Sequence, residues 1–299
     1  MNKIIVTGKN GQVGHALVEA LAPLCELHAF DSSEFDLSNA KQVRQHIQTI
    51  RPDIIINAAA YTAVDRAETD DARAFLVNAQ GLEIIGQEAT KIGAVVIHFS
   101  SDYVFDGEKE GPYVESDKTN PLGIYGGSKL QGEKLLLEAC PQSIILRTSW
   151  VVSSHGSNFA KTMLKLSAER ENLNVVADQF GVPTPAKLLA KAAISLISKL
   201  EQAGKAEFPF GCYHFAPSGE TNWCDYARFV IGESVKLGAE LKLAPDNIRP
   251  IRTEEYPTPA KRPQNSRLDC GLFQQTFGFT FPSWESGILD ILQDIYKGH

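Results

Sequence analysis

Residues 3–14 read KIIVTGKNGQVG, and the reading of this stretch decides the fold. Lys3 to Thr7 is a short β-branched run that stops at Gly8, and from Gln12 onward apolar residues recur at helical spacing. Strand, turn and helix therefore follow one another with no room for a longer loop. Gly8, Gly11 and Gly14 let the backbone turn sharply and lie close to a ligand, whose phosphate charge would meet the amides of the next helix's N-terminus. In this setting the turn predicts a bound dinucleotide.

The same rhythm continues outward. Residues 26–30 read as a second strand ending on Asp31, 39–50 as a polar helix, and 53–57 as a third strand. A long helix over 72–91, a buried strand over 94–100, a helix over 126–139 and a strand over 143–146 complete the first half. Strands that are apolar on both faces and alternate with helices require a parallel sheet covered on both sides, so the fold class is α/β and doubly wound. Past Trp150 the rhythm breaks, with a loop at 153–157, a helix over 159–170, a strand over 173–176, and Pro/Gly-rich loops at 208–211, 216–219 and 256–259. These read as the walls of a pocket. Residues 1–149 are expected to form the dinucleotide-binding domain and 150–299 mainly a substrate domain, interleaved with the first.

Asp31 follows the turn at the distance where a carboxylate takes hydrogen bonds from an adenine-ribose diol, which favours NADH. Lys9, in the turn itself, can reach a 2′-phosphate, so NADPH stays open. Of all the tyrosines, only Tyr125 has a lysine four residues later, Lys129, and on a helix that spacing puts both side chains on one face. An ammonium beside a phenol favours the phenolate, and the pair, with Ser101 as a second hydroxyl, suits proton delivery to a ketone during hydride transfer.

Bulk properties narrow the rest. At 43% hydrophobic and 22% charged residues the 299-residue chain is an ordinary globular one, and a net charge of −7 offers no basic face for nucleic acid. The five cysteines are scattered without a Cys-x-x-Cys pair and read as reduced thiols. No apolar run approaches the ~20 residues that span a bilayer and no cleavable signal opens the chain, so no membrane partner and a cytoplasmic location are expected. Histidines and carboxylates lack metal-ligand spacing, and no catalytic metal is expected.

Further stretches carry a resemblance: Asn57 to Asp65 (NAAAYTAVD), Ser100 to Phe105 (SSDYVF), Tyr125 to Lys129 (YGGSK), Arg147 to Trp150 (RTSW), Asp178 to Thr184 (DQFGVPT) and Pro257 to Ser266 (PTPAKRPQNS). With the glycine turn, they make the chain resemble the extended short-chain dehydrogenase/reductases and, within them, the dTDP-4-dehydrorhamnose reductase family. The resemblance covers nearly the whole length. It implies NAD(P)H-dependent reduction of the C4 ketone of a nucleotide-linked 4-keto-6-deoxysugar, with Tyr125 as acid, Lys129 on the nicotinamide ribose and Ser101 on the carbonyl oxygen. In many members a threonine stands where this chain has Ser101. The resemblance places Gln12 and Val13 along the pyrophosphate, Asp36 and Leu37 near the adenine, and Ala60, Tyr61 and Thr62 along the cofactor at the end of the third strand. It places Asp102 and Trp150 against the sugar, Arg262 on the substrate diphosphate with Asn265 and Ser266 beside it, and Asn158 and Gln179 in the nucleotide pocket.

Some family members bind magnesium through glutamates where subunits meet. This chain has His15 and Ala16 early in the first helix and Lys187 in a later one, which leaves magnesium unsupported; a homodimer is compatible with the resemblance. A dehydratase of the same fold would need a glutamate at the Tyr103 position. A reductase of another nucleotide-linked 4-keto-6-deoxysugar, or a non-catalytic regulatory subunit of the same fold, are the alternatives.

Overall fold

Isoleucine and valine runs with no polar face can be buried only between two layers. In the computed structural model, which describes residues 2–297, the first half runs β1 (Lys3–Thr7), α1 (Gln12–Leu21), β2 (Glu26–Phe30), α2 (Ala40–Ile50), β3 (Ile54–Asn57), α3 (Val64–Ala67), α4 (Asp71–Phe75), α5 (Gly81–Ile92), β4 (Val95–Ser101), α6 (Ile124–Ala139) and β5 (Ser143–Thr148). The second half supplies β6 (Val151–Val152), α7 (Phe159–Glu169), β7 (Leu173–Val176), β8 (Phe180–Gly181), β9 (Thr184–Pro185), α8 (Ala186–Ala203), β10 (Gly211–His214), β11 (Thr221–Asn222), α9 (Trp223–Lys236), β12 (Ile248–Ile251), α10 (Gly271–Phe277) and α11 (Trp284–Lys297).

Six parallel strands form the main sheet in the order β10-β5-β4-β3-β1-β2. Successive strand residues point to opposite faces, so each strand feeds two cores. Ile4, Val6, Ile54 and Ile56 pack with Leu17 of α1 and Leu189 and Leu196 of α8. Ile5, Ile55, Val96 and Ile145 face the other way, onto Val43 and Ile47 of α2, Ile85 of α5 and Leu136 of α6. The fold is thus α/β with a doubly wound parallel sheet. Because β1 has β2 on one side and β3 on the other, the chain leaves it in opposite directions and a crevice opens outside the carboxyl ends of β1 and β3.

Three two-stranded pairs lie outside this sheet: β6 with β9, β7 with β12, and antiparallel β8 with β11. They are organised around two further cores, one on Tyr226, Trp284 and Ile288, the other on Leu173, Ile231 and Ile248. The strand β10 belongs to this later half in sequence but pairs with β5 in the main sheet.

Several elements differ from the sequence reading. The helix expected over 72–91 is broken by a π-helical turn at Leu76–Gln80, which puts Asn78 inward where an uninterrupted helix would carry it elsewhere. The strands β4 and β5 run on to Ser101 and Thr148, and α6 begins at Ile124, so Tyr125 and Lys129 share one helix. Residue 211, read as loop, begins β10. The helices α8, α9, α10 and α11 carry no signal as clear as the first half's alternation, because their apolar faces meet several partners and their flanks are rich in Pro and Gly.

Candidate active site

The glycine turn is a backbone cradle. Gly8 has φ +74°, the left-handed region, and a Cβ on it would lie 2.9 Å from the Ala58 carbonyl oxygen at the end of β3. A Cβ on Gly14 would fall 2.0 Å from the Gly8 oxygen, inside any tolerable contact. The helix α1 starts at Gln12 with no side-chain cap on its N-terminus, so its first amides are free to meet an anion. These features fit the pyrophosphate of a dinucleotide. The Gln12 side chain reaches across to the second half, accepting from Asn158 Nδ2 (2.9 Å) and donating to the Val151 carbonyl (3.3 Å), while Val13 packs inward on the main core.

Asp31 stands just past β2. One oxygen accepts from Ser33 N–H and Oγ (2.9 and 2.6 Å), the other from Asn10 Nδ2 (3.0 Å), and Lys9 Nζ is 3.9 Å away. The Ser33 hydrogen bonds, more than Lys9, hold its carboxyl below the usual aspartate range. Lys9 is itself paired with Glu34. Asp36 is tied into a turn by Ser38 (2.9 and 2.7 Å), and Leu37 is buried beneath it. Beyond β3, Ala60 is half-buried and Thr62 lines the cleft, while the Tyr61 amide donates to Asn78 Oδ1 (2.8 Å) and its hydroxyl to Asp70 (3.0 Å).

The carboxyl end of β4 and the first turn of α6 bring the reacting groups together. Ser101, the last residue of β4, donates its hydroxyl to Asp102 Oδ1 (2.9 Å), and it stands close enough to the Tyr125 phenol to favour that group's ionisation. Burial pushes the phenol well above its usual value, with Ser101 opposing and Asp102 adding to the rise. The phenol is therefore protonated at neutral pH, as an acid awaiting a base must be. The sequence expectation that Lys129 draws this pKa down is not met in this geometry. Lys129 is buried and turned from the phenol, donating to the Phe99 carbonyl (2.7 Å) and facing His98 Nε2 (3.0 Å). Burial lowers the Lys129 amine to about 8. Asp102, 3% exposed and with one oxygen unpartnered, is pushed up by burial to about 6, against the Ser266 and Ser101 hydroxyls.

Beside this centre lies a cleft of about 1080 Å³, lined by Tyr103, Trp150, Asn158, Gln179, Trp223 and Arg262 among others. Tyr103 joins the two, its ring edge-on to Tyr125 at 5.3 Å and its hydroxyl 3.5 Å from Arg262 Nη1. Arg262 Nη2 is paired with Asp65 (2.6 Å), so a phosphate there competes with a carboxylate. Trp150 has φ +48°, rare for a bulky side chain, and is held in it by stacking on Trp223 at 3.7 Å. Gln179 is 7% exposed, accepts from Trp223 Nε1 (3.2 Å) and donates to Thr253 (3.1 Å), which makes it a buttress of that stack. Asn158 caps α7 through Lys161 N–H while its amide also donates to Ser153 O (2.7 Å). Asn265 departs from expectation: both sides of its amide hold the 109–111 loop and Arg267, leaving nothing for a phosphate.

Two positions escaped the sequence reading. Asn78, on the π-turn, donates to the Tyr61 carbonyl (3.1 Å) and to Ser128 Oγ (3.0 Å), tying the cofactor-side loop to α6 next to Lys129. A lone Asn inside an apolar helix was the available signal. His98 lies in a strand otherwise apolar up to Phe99, and its polar ring was the cue. Among the described residues no three His, Cys, Asp or Glu side chains cluster as metal donors, and no helix is long and apolar enough to cross a membrane.

Known proteins share this fold. The family model described as "RmlD substrate binding domain" matches residues 1–297. The dTDP-4-dehydrorhamnose reductase of Escherichia coli K12 is 47% identical over 298 residues, 98% of each chain. Crystal structures of the dTDP-4-dehydrorhamnose reductases of Clostridium acetobutylicum (TM-score 0.90, 32% identity, covering 98% and 99% of the two chains) and of Bacillus anthracis in complex with NADP (TM-score 0.89, 35% identity, the same coverage) superimpose along the whole fold. The chain belongs to the RmlD substrate binding domain family, the family of these dTDP-4-dehydrorhamnose reductases.

Proposed function

We propose that this protein uses NAD(P)H to reduce the C4 ketone of dTDP-4-dehydrorhamnose (dTDP-4-dehydro-6-deoxy-L-mannose), giving dTDP-L-rhamnose. The observation that carries the reading is a protonated phenol, Tyr125, with Ser101 beside it at the carboxyl end of β4, between a dinucleotide cradle and a cleft of nucleotide-sugar size. The relatives' named activity supports it.

When bound, reduced nicotinamide supplies the hydride. Gly8, Gly11, Gln12 and Gly14 would hold the pyrophosphate, Asp31 and Asp36 the adenosine side, and Ala60 to Thr62 the run toward the reacting end. Ser101 and Tyr125 give two hydroxyl donors to the ketone oxygen, so that charge developing on it meets donors already in place. Tyr125 then gives up its proton to the alkoxide oxygen, and Lys129, four residues along the same helix, would hold the nicotinamide ribose once it turns from Phe99 and His98. Residues from the second half close the other side: Trp150 offers an aromatic face to the deoxysugar ring, Asp102 a carboxyl to its hydroxyls, and Arg262 a guanidinium to the diphosphate once it parts from Asp65.

The assay is absorbance at the nicotinamide band with a panel of nucleotide-linked 4-keto-6-deoxysugars, each with NADH and NADPH. Turnover with the dTDP-4-dehydro-6-deoxy-L-mannose substrate, above all others, is expected. Preference for another sugar reassigns the substrate, and no oxidation with any, together with a co-purifying enzyme, points to a regulatory subunit.

A further inference from the structure

The three central strands of the main sheet carry one row of polar side chains through their apolar interior. Thr7 of β1 is registered with Asn57 of β3, and Asn57 with His98 of β4, so the three stand side by side across the sheet. They are 0%, 1% and 2% exposed, and the row ends on Lys129 of α6, also 2% exposed. Thr7 Oγ donates to Asn57 Oδ1 (2.5 Å), Asn57 Nδ2 meets His98 Nδ1 (2.9 Å), and His98 Nε2 meets Lys129 Nζ (3.0 Å). Buried polar groups persist where each hydrogen has an acceptor, so the hydrogens can be assigned by accounting.

We infer that His98 is a positioning residue for Lys129, and that its tautomer and the charge of that lysine change together through Asn57 and Thr7. Thr7 Oγ already accepts the Ala59 amide (3.3 Å) and has one hydrogen, directed at Asn57 Oδ1. Asn57 then shows its NH₂ to His98 Nδ1, which accepts, and the ring hydrogen sits on Nε2. Facing that hydrogen, Lys129 must present a lone pair, as the neutral amine, while donating to Phe99 O. The charged lysine needs the reverse arrangement: a bare Nε2, the hydrogen on Nδ1, and the Asn57 amide turned over. Between the two states one proton is lost to solvent. In the charged state the Thr7 hydrogen has no acceptor, so the row biases Lys129 toward the amine. Among the described residues the Thr7 hydroxyl is hydrogen-bonded to no titratable group, so the row selects a state and conducts nothing.

The ring stays neutral in both states, because burial and the adjacent lysine, outweighing a contact with the Asn57 backbone, hold His98 well below the usual imidazole range. Other groups facing Lys129 do not replace this control. Glu133, one turn along α6, favours the ammonium but is bound by Arg147 of β5 (2.6 Å) and Ser100 of β4 (2.5 Å), and Tyr125 one turn back is an un-ionised phenol.

The test is a pH titration of the full chain, cofactor-free and labelled with ¹⁵N-histidine, with His98→Phe assigning the resonance. The expected result is an imidazole that stays neutral and passes from Nδ1–H to Nε2–H between about pH 6 and about pH 10, the lysine range shifted by burial. Thr7→Val, nearly isosteric, should raise the midpoint by about half a unit to one unit, the worth of one hydrogen bond, and Thr7→Ser should restore it. A single tautomer across the range in the wild type overturns the inference, as does an unmoved midpoint in a folded Thr7→Val. One arm rests on the reductase reading: the alkaline limb of kcat/KM should move with the tautomer midpoint. A tautomer switch in a chain that reduces no 4-ketosugar supports the His98 assignment while removing that reading.

Discussion

At the residue scale the site depends on where protons rest. Asp102 is raised to about 6 chiefly by burial, so the folded chain keeps a proton on it that the unfolded chain has already lost. Below about pH 4 both states are protonated and the residue is neutral toward stability; between about 4 and 6 stability falls as pH rises, and above about 6 the whole penalty is present. Asp102→Asn, with the Ser101 hydroxyl still donating and Ser266 alongside, should raise the melting temperature at pH 8 by about 2–6 °C. The gain should close near pH 4, and a gain independent of pH would mean the charge is not its source. Asp31 makes a separate prediction about the cofactor. Its carboxylate lies at the end of β2 with Lys9 3.9 Å away, so Asp31→Ala removes the group that opposes a 2′-phosphate and leaves the cation that attracts one. The ratio of kcat/KM for NADPH over NADH should rise by about tenfold, the worth of one charged contact. An unchanged ratio places the adenosine elsewhere.

Elements position these groups, and they show which parts of the sequence could be read. The stretch from Lys3 to Gly14 was legible because two of its glycines, Gly8 and Gly14, are demanded by backbone contacts that a Cβ would violate. The alternation of buried strands and helices through Thr148 was legible for the same reason, since each strand face has one environment. The π-turn at Leu76–Gln80 was not, because it arises from what Asn78 meets on the Tyr61 loop and on α6, which local periodicity does not record. Lys129 was found by its spacing from Tyr125, yet its partners, His98 and Phe99, lie on another element. Similarly, Asn158 was named as a pocket residue, whereas its amide joins α7 to the cofactor turn through Gln12. Asn158→Ser keeps a helix cap but cannot span to Gln12, so it should weaken cofactor binding about three- to tenfold with little loss of melting temperature. A melting loss with unchanged affinity would make the contact purely structural.

For the whole molecule, the central relation is between the two halves. The first brings the glycine turn and a phenol to one end of the parallel sheet; the second lines most of a cleft beside them, with Trp150, Arg262 and the segments around β7 and β12. Halves joined this way, with β10 of the later half hydrogen-bonded into the main sheet, should unfold in one transition that reduced cofactor raises. The family and the chemistry were readable from motifs, but the pairing of Arg262 with Asp65 and the consumption of Asn265 by the 109–111 loop were not, because these are contacts between segments far apart in the chain. The most direct measurement is single-turnover oxidation of bound NADPH by dTDP-4-dehydro-6-deoxy-L-mannose in the wild type and in Tyr125→Phe, with cofactor affinity measured alongside. Removal of the proton donor should slow the step by about 10²–10⁴-fold while leaving cofactor affinity within about twofold; a variant that turns over at nearly the wild-type rate would contradict Tyr125 as the acid.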